Sequence, residues 1–210
     1  FFKAGTAEPN INNAKGVATL NMLKKLASLS NPDYLTHDSE AIKVEWESGK
    51  VALMTLWASR SGTLLDDEGD AKITAATKLT GPATVGGGNI PAATLWWDGF
   101  TLAKNRSDSD AEATFIALAH AASNKKMVAD AADQAVWLVE GFVPGPKSIG
   151  VIEAVKMGAK PYPMLPQMGL MHGALGSEIV EFLQGKESAE QALKDVEAAY
   201  ISKAKEQGFL

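Results

Sequence analysis

The residues with the most chemical potential stand in two short strings. Trp96-Trp97-Asp98-Gly99 combines two large aromatic rings, a carboxylate and a glycine within four positions. On an extended chain the two tryptophans face opposite sides, so one packs inward and the other faces outward. The ionised Asp98 carboxylate can accept two hydroxyl hydrogen bonds or hold a cationic group, and Gly99 allows a turn or close approach that a Cβ would resist. The plainer reading of Asp98 is a turn carboxylate that caps its own backbone. Trp57 forms the second string with Ser59 and Arg60, directly after the apolar run from Val51 to Leu56. It reads either as a ligand contact at a strand exit or as a core or rim tryptophan. His172 is a lone histidine on a partly apolar helix, able to donate a hydrogen bond and present a flat ring, or simply to pack.

Other chemistries find less support. His37, His120 and His172 are far apart in sequence and lack metal-ligand spacing, so no metal is expected. The chain has no cysteine, which removes thiolate nucleophiles, disulfides and cysteine metal sites together. Gly86-Gly87-Gly88 lacks the lysine of a phosphate loop and the spacing of a dinucleotide fingerprint, and no cofactor is expected. Asp66-Asp67-Glu68 could suggest the paired carboxylates of glycoside cleavage, but an adjacent acidic run more often marks a solvated face. An enzyme is therefore not expected.

Composition narrows the partners. The 210 residues carry 20 Lys plus Arg against 25 Asp plus Glu, a formal charge of -5. Without a basic stripe beyond Lys24-Lys25 or Lys125-Lys126, nucleic acid is not an expected partner. Hydrophobic residues make up 46%, enough for one sizeable core or two small ones, yet no apolar stretch reaches membrane-spanning length.

Periodicity and breakers then place the elements. Helices are expected near 13–29, 39–48, 109–122, 124–136, 148–157, 169–184 and 188–206. The first carries Val17, Leu20, Leu23 and Leu26 at spacings of three; the last opens on Ser188 and Gln191, spaced as a capping box. Val51 to Leu56 reads as a buried strand, and Thr94 to Trp97 with Phe100 to Ala103 as two parts of an extended passage.

Three segments in this order carry a family resemblance: Trp46-Glu47-Ser48-Gly49-Lys50-Val51-Ala52-Leu53-Met54; Gly86 to Asn105; and Leu165-Pro166-Gln167-Met168, followed by a helix, Gly185-Lys186 and Ala192-Leu193-Lys194-Asp195-Val196. The combination resembles the C-terminal half of the maltose-binding type of extracellular solute-binding protein, family 1 of the ABC-importer binding proteins.

That resemblance implies an α/β fold, the periplasmic-binding-protein-like type II two-lobed architecture, incomplete here. Residues 1–93 would be a second-lobe portion, 97–142 a returning first-lobe portion and 146–210 second-lobe C-terminal helices. Hinges are expected near Ala93 to Trp96 and Val143 to Pro146. The implied function is capture of a mono- or disaccharide by interlobe closure, for an ATP-driven importer. A polyol, polyamine or other small polar solute is the alternative. The expected ligand contacts are Trp57, Ser59, Arg60, Trp96, Trp97, Asp98, Gly99 and His172, with Ser59 and His172 aligned to aromatic stacking positions of the family. The resemblance further implies an ABC permease as partner, a monomer, and a place in the periplasm or at the extracytoplasmic membrane surface, after removal of a signal peptide from the full precursor.

Overall fold

The computed structural model describes residues 1–66, 68–96, 98–137 and 139–210, with Met127 described by its backbone alone. In chain order the elements are α1 Ala14–Ala27, α2 Ser39–Glu47, α3 Ala58–Ser61, α4 Ala71–Ala76, β1 Thr94–Leu95, α5 Asp108–Ser123, α6 Lys125–Asp130, α7 Ile149–Lys156, β2 Lys160–Pro161, α8 Met168–Leu183 and α9 Ala189–Glu206. Two units result. Unit 1 comprises Phe1–Thr36 with Pro163–Leu210, and unit 2 comprises His37–Tyr162.

Unit 1 is built on α9. Ala189, Ala192, Leu193, Val196, Tyr200 and Ala204 are buried at helical spacing, which turns one continuous face of α9 onto α8 and α1. From α8 come Met171, Ala174 and Phe182, and from α1 Leu20. Each large apolar side chain buried this way contributes about 1.5–3 kcal/mol relative to exposure. The α8–α9 turn closes through Gly185, whose φ of 78° is open to glycine at little cost. Its N–H bonds to Phe182 O and the N–H of Lys186 to Glu181 O, the paired closure that satisfies the last helical carbonyls. Ser188 caps α9 by accepting from the N–H of Gln191, but the Gln191 side chain donates forward to Asp195 instead of reaching back, so half of the capping box forms.

The α1 face differs from the stripe its spacing suggested. A strict step of three falls short of a full turn by about 60° each time, so Val17, Leu20, Leu23 and Leu26 wind around the helix. Leu20 is buried, whereas Leu23 and Leu26 are exposed. The side packed inward runs through Leu20, Lys24 and Ala27.

In unit 2, Asp38, Asp70 and Ser107 cap α2, α4 and α5 through side-chain acceptance of early N–H groups. The indole N–H of Trp46 donates to the buried Thr77 hydroxyl at 2.9 Å and ties α2 to the end of α4. Helix α7 packs against α3 and β1. It approaches α3 closely at Gly150, where an added Cβ would stand 3.2 Å from Ala58 Cβ. Strands β1 and β2 pair in parallel, Thr94 with Lys160 and Leu95 with Pro161.

The α/β type II two-lobed fold expected from the resemblance is corrected here. The described residues are 53% helical and 4% extended, and their one sheet is the two-residue pair β1–β2. Six of the seven expected helices occur close to their predicted positions, that expected over 124–136 stops at Asp130 with only a 3-10 turn, Ala132–Gln134, after it, and the expected sheets do not form. Val51 to Leu56 forms no strand, and Leu53 is 89% exposed; Phe100 to Ala103 is likewise without a ladder. An extended run becomes a strand only when a neighbour accepts its N–H and C=O groups, and none is supplied beside these segments among the described residues. The expected hinge passages, Ala93 to Trp96 and Val143 to Pro146, both lie inside unit 2 and do not connect its parts as two lobes.

Candidate functional site

Three features of unit 2 stand out. The first is an aromatic pair created by the small sheet. Beyond Leu95 the N–H of Tyr162 donates to Leu95 O at 2.8 Å, extending the β1–β2 pairing by one bond. This holds the Trp96 and Tyr162 rings stacked, centroids 4.0 Å apart and planes 20° from parallel. Trp96 remains 50% exposed, so a large part of its ring is open to solvent.

The second is a charge node. Lys43 Nζ on α2 lies 2.7 Å from Glu68, 3.1 Å from Asp66 and 3.4 Å from Glu47. The hydrogen bonds it donates to Glu68 and Asp66 hold the Lys43 ammonium well above its ordinary range. Burial by itself would raise the Asp66 carboxyl, but the Glu68 N–H and the Lys43 ammonium together keep it below the usual carboxylate range. Glycoside cleavage needs one carboxyl held protonated, and Asp66 is displaced in the opposite direction. Asp66 and Glu68 therefore serve as anchors for α2.

The third is helix α5. Sixteen residues long, it contributes no buried residue. Ala111, Leu118, Ala121 and Ala122 are half-buried along one side; Phe115, at the edge of that side one turn from Ala111 and Leu118, is 62% exposed, and Ile116, on the opposite side, is 59% exposed. Asp108, Glu112, Phe115 and Ala119, at i, i+4, i+7 and i+11, share an exposed outer face. A recess of 630 Å³ beside its first turns is lined by Leu102, Ala103, Arg106, Asp110, Ala113 and Thr114.

The residues singled out from the sequence are distributed as follows. Trp57 is exposed and stands immediately before α3; Ser59 and Arg60 lie on α3, with the Arg60 guanidinium paired to Glu40 of α2. Because α3 and β1 both pack on α7, Trp57 and Trp96 sit at the ends of two elements that share one support. Asp98 is exposed, and at Gly99 an added Cβ would meet no atom within 4 Å, so no close approach requires glycine there. His172 is on α8 in unit 1 and is exposed. Trp97 and Asp67 lie outside the described residues. The α5 face was missed as a functional feature, although its signal is in the sequence: nine of its sixteen residues are apolar and they occur all around the helix. Such a helix belongs in a core covered on both sides.

No family model matches the chain, and no curated protein matches it. The resemblance to the maltose-binding type of solute-binding protein thus rests on its short strings alone, and the helical fold overturns it. With it fall the expected capture of a sugar, polyol or polyamine by interlobe closure and the role in ABC-importer sugar transport, because the described residues do not build the α/β lobes that such closure needs. Among the described residues, no helix is long and apolar enough to cross a membrane.

Proposed function

We propose that this chain is a non-catalytic association module, in which unit 1 is the self-supporting part and unit 2 docks on a partner polypeptide through α5. The observation that carries this reading is the contrast between the two long helices. Over eighteen residues α9 buries six, while α5 over sixteen buries none and holds Phe115 and Ile116 in water. Covering the two side chains would contribute up to about 1.5–3 kcal/mol each toward association.

Amide hydrogen exchange on the dilute chain tests it. Amides of α5 are expected to exchange much faster than those of α9, and to become protected on association. Protection of α5 equal to that of α9 in the dilute, unassociated chain would mean its outer face is already covered, and the reading would fail.

A further inference from the structure

Strand β1 ends at Leu95 and α5 does not begin until Asp108; between them lies Asp98-Gly99, the one aspartate–glycine step in the sequence. Both residues are exposed and belong to no helix, strand or turn. Among the described residues the Asp98 carboxylate accepts no hydrogen bond and the Gly99 N–H donates none. A Cβ built at Gly99 meets nothing within 4 Å, and Phe100 beside it is 69% exposed, so no packing fixes the peptide that joins Asp98 to Gly99. That freedom has a chemical consequence. The nitrogen of the residue after an aspartate reaches its Cγ only when the backbone leaves the helical and extended conformations, and a Cβ on that residue crowds the approach. Glycine removes the obstacle.

We propose that Asp98 is a modification site, isomerising spontaneously to isoaspartate through a cyclic succinimide. The Gly99 nitrogen bonds to Asp98 Cγ, and the amide proton leaves with the carboxyl hydroxyl as one water. Water then adds to either ring carbonyl. Opening at the Cγ carbonyl returns aspartate; opening at the α carbonyl leaves the main chain running through Cβ and Cγ, with the former backbone carbonyl as a free carboxylate. The water lost is regained and no oxidant or cofactor enters, so charge and mass are unchanged. The product carries one extra backbone carbon in the passage that follows Trp96.

The folded structure separates this position from others of similar sequence. Asp38-Ser39 and Asp108-Ser109 also join an aspartate to a small residue. The Asp38 carboxylate is occupied, however, accepting from the N–H groups of Glu40 at 3.1 Å and Ala41 at 2.9 Å as the cap of α2. Asp108 and Ser109 form the first turn of α5, where fixed helical dihedrals keep the ring from closing.

Ageing the intact chain in neutral buffer at physiological temperature, followed by brief trypsin digestion, gives the test. The fragment 79–104 carries Asp98 as its sole aspartate. It is expected to split into two chromatographic species of equal mass, the new one accepting a methyl group from S-adenosylmethionine in the presence of an isoaspartyl methyltransferase. Equal mass separates this change from deamidation of Asn89 in the same fragment, which makes it heavier. Fragments holding Asp38 and Asp108 should stay single. Gly99→Val should slow the change about tenfold by crowding the nitrogen, and the open space around that position leaves the fold intact. Unfolding in urea should alter the rate at Asp98 by less than about twofold, because a segment already open gains nothing, while the rates at Asp38 and Asp108 rise. An unmodified 79–104 fragment overturns the proposal, as does a rate indifferent to Gly99→Val or one at Asp98 that climbs about tenfold on unfolding.

Discussion

The hydroxyl of Tyr200 donates a 2.7 Å hydrogen bond to the carbonyl of Ala7, 193 residues earlier in the chain. The ring itself is fully buried and meets Phe2 at 5.4 Å between centroids, so one side chain of α9 fixes the first turn of the protein. Glu197, one turn earlier on α9, accepts from the N–H groups of Ile11 and Asn12, both at 2.9 Å. Tyr200→Phe should therefore cost about 1 kcal/mol, the net value of one hydrogen bond plus the stranded Ala7 carbonyl. Tyr200→Ala should cost about 3–5 kcal/mol through the cavity it opens. Urea denaturation of both variants checks the ratio; equal losses would mean that the hydroxyl, not the ring, holds unit 1 together.

Two glycines in helices of unit 1 should respond in opposite directions. A Cβ at Gly16 would stand 2.0 Å from the carbonyl oxygen of Ile11, a backbone atom that cannot swing away. Gly16→Ala is expected to destabilise by about 1–3 kcal/mol or to dislodge the start of α1. At Gly173, in the interior of α8, a Cβ would meet nothing within 4 Å. Gly173→Ala should stabilise by about 0.5–1 kcal/mol, because alanine loses less backbone freedom in a helix. Thermal melts of the two variants, read side by side, provide the measurement.

The Lys43 node sets a pH dependence whose sign follows from the two shifts. Asp66 titrates lower in the folded chain than its ordinary value of 3.8, so its contribution is whole above that value and is lost as pH falls below it. Lys43 titrates higher than its ordinary 10.5, so its contribution is whole below 10.5 and is lost as pH rises beyond it. Lys43→Met should cost about 2 kcal/mol at neutral pH, since Glu68 is largely solvated and adds little. The gap between wild type and variant should stay flat between the two values and narrow outside them. A gap that widens in acid would show that the carboxylates are not held by Lys43.

The Trp46–Thr77 bond predicts a smaller, local effect. Thr77 is buried and its hydroxyl donates to Ile73 O at 2.7 Å while its oxygen accepts from the Trp46 indole N–H, so both roles of that hydroxyl are filled. Trp46→Phe should cost about 1 kcal/mol or more, from the lost bond and the smaller ring. Hydrogen exchange should rise in α4 before it rises in α9. A uniform rise would mean that α2 and α4 unfold with unit 1.

Local signals in the sequence located most helices. Ser188 before Ala189, Asp38 before Ser39 and Asn13 before Ala14 are acceptors that satisfy the first free N–H groups, and they mark the helix starts wherever the chain later packs. Gly185 and Gly49, with positive φ, mark ends for the same local reason. These features depend on atoms within a few residues of each other. The acidic run around Asp66 was legible as charge, but its partner Lys43, more than twenty residues away, was not.

Sequence by itself therefore determined where the long, capped helices lie and that the last of them carries one apolar face, but not the short α3 and α4 or the early end of α6. Tertiary structure decided the rest, beginning with whether apolar runs become strands. Val51 to Leu56 and Phe100 to Ala103 have strand-like composition, yet a ladder is a property of two segments and no partner segment adopted the register. It also decided which apolar faces found cover: Leu20 did, while Leu26 and Phe115 did not, although all three lie in equally regular helices. Burial depends on what arrives from elsewhere in the chain or from another chain, and helical periodicity carries no information about that arrival.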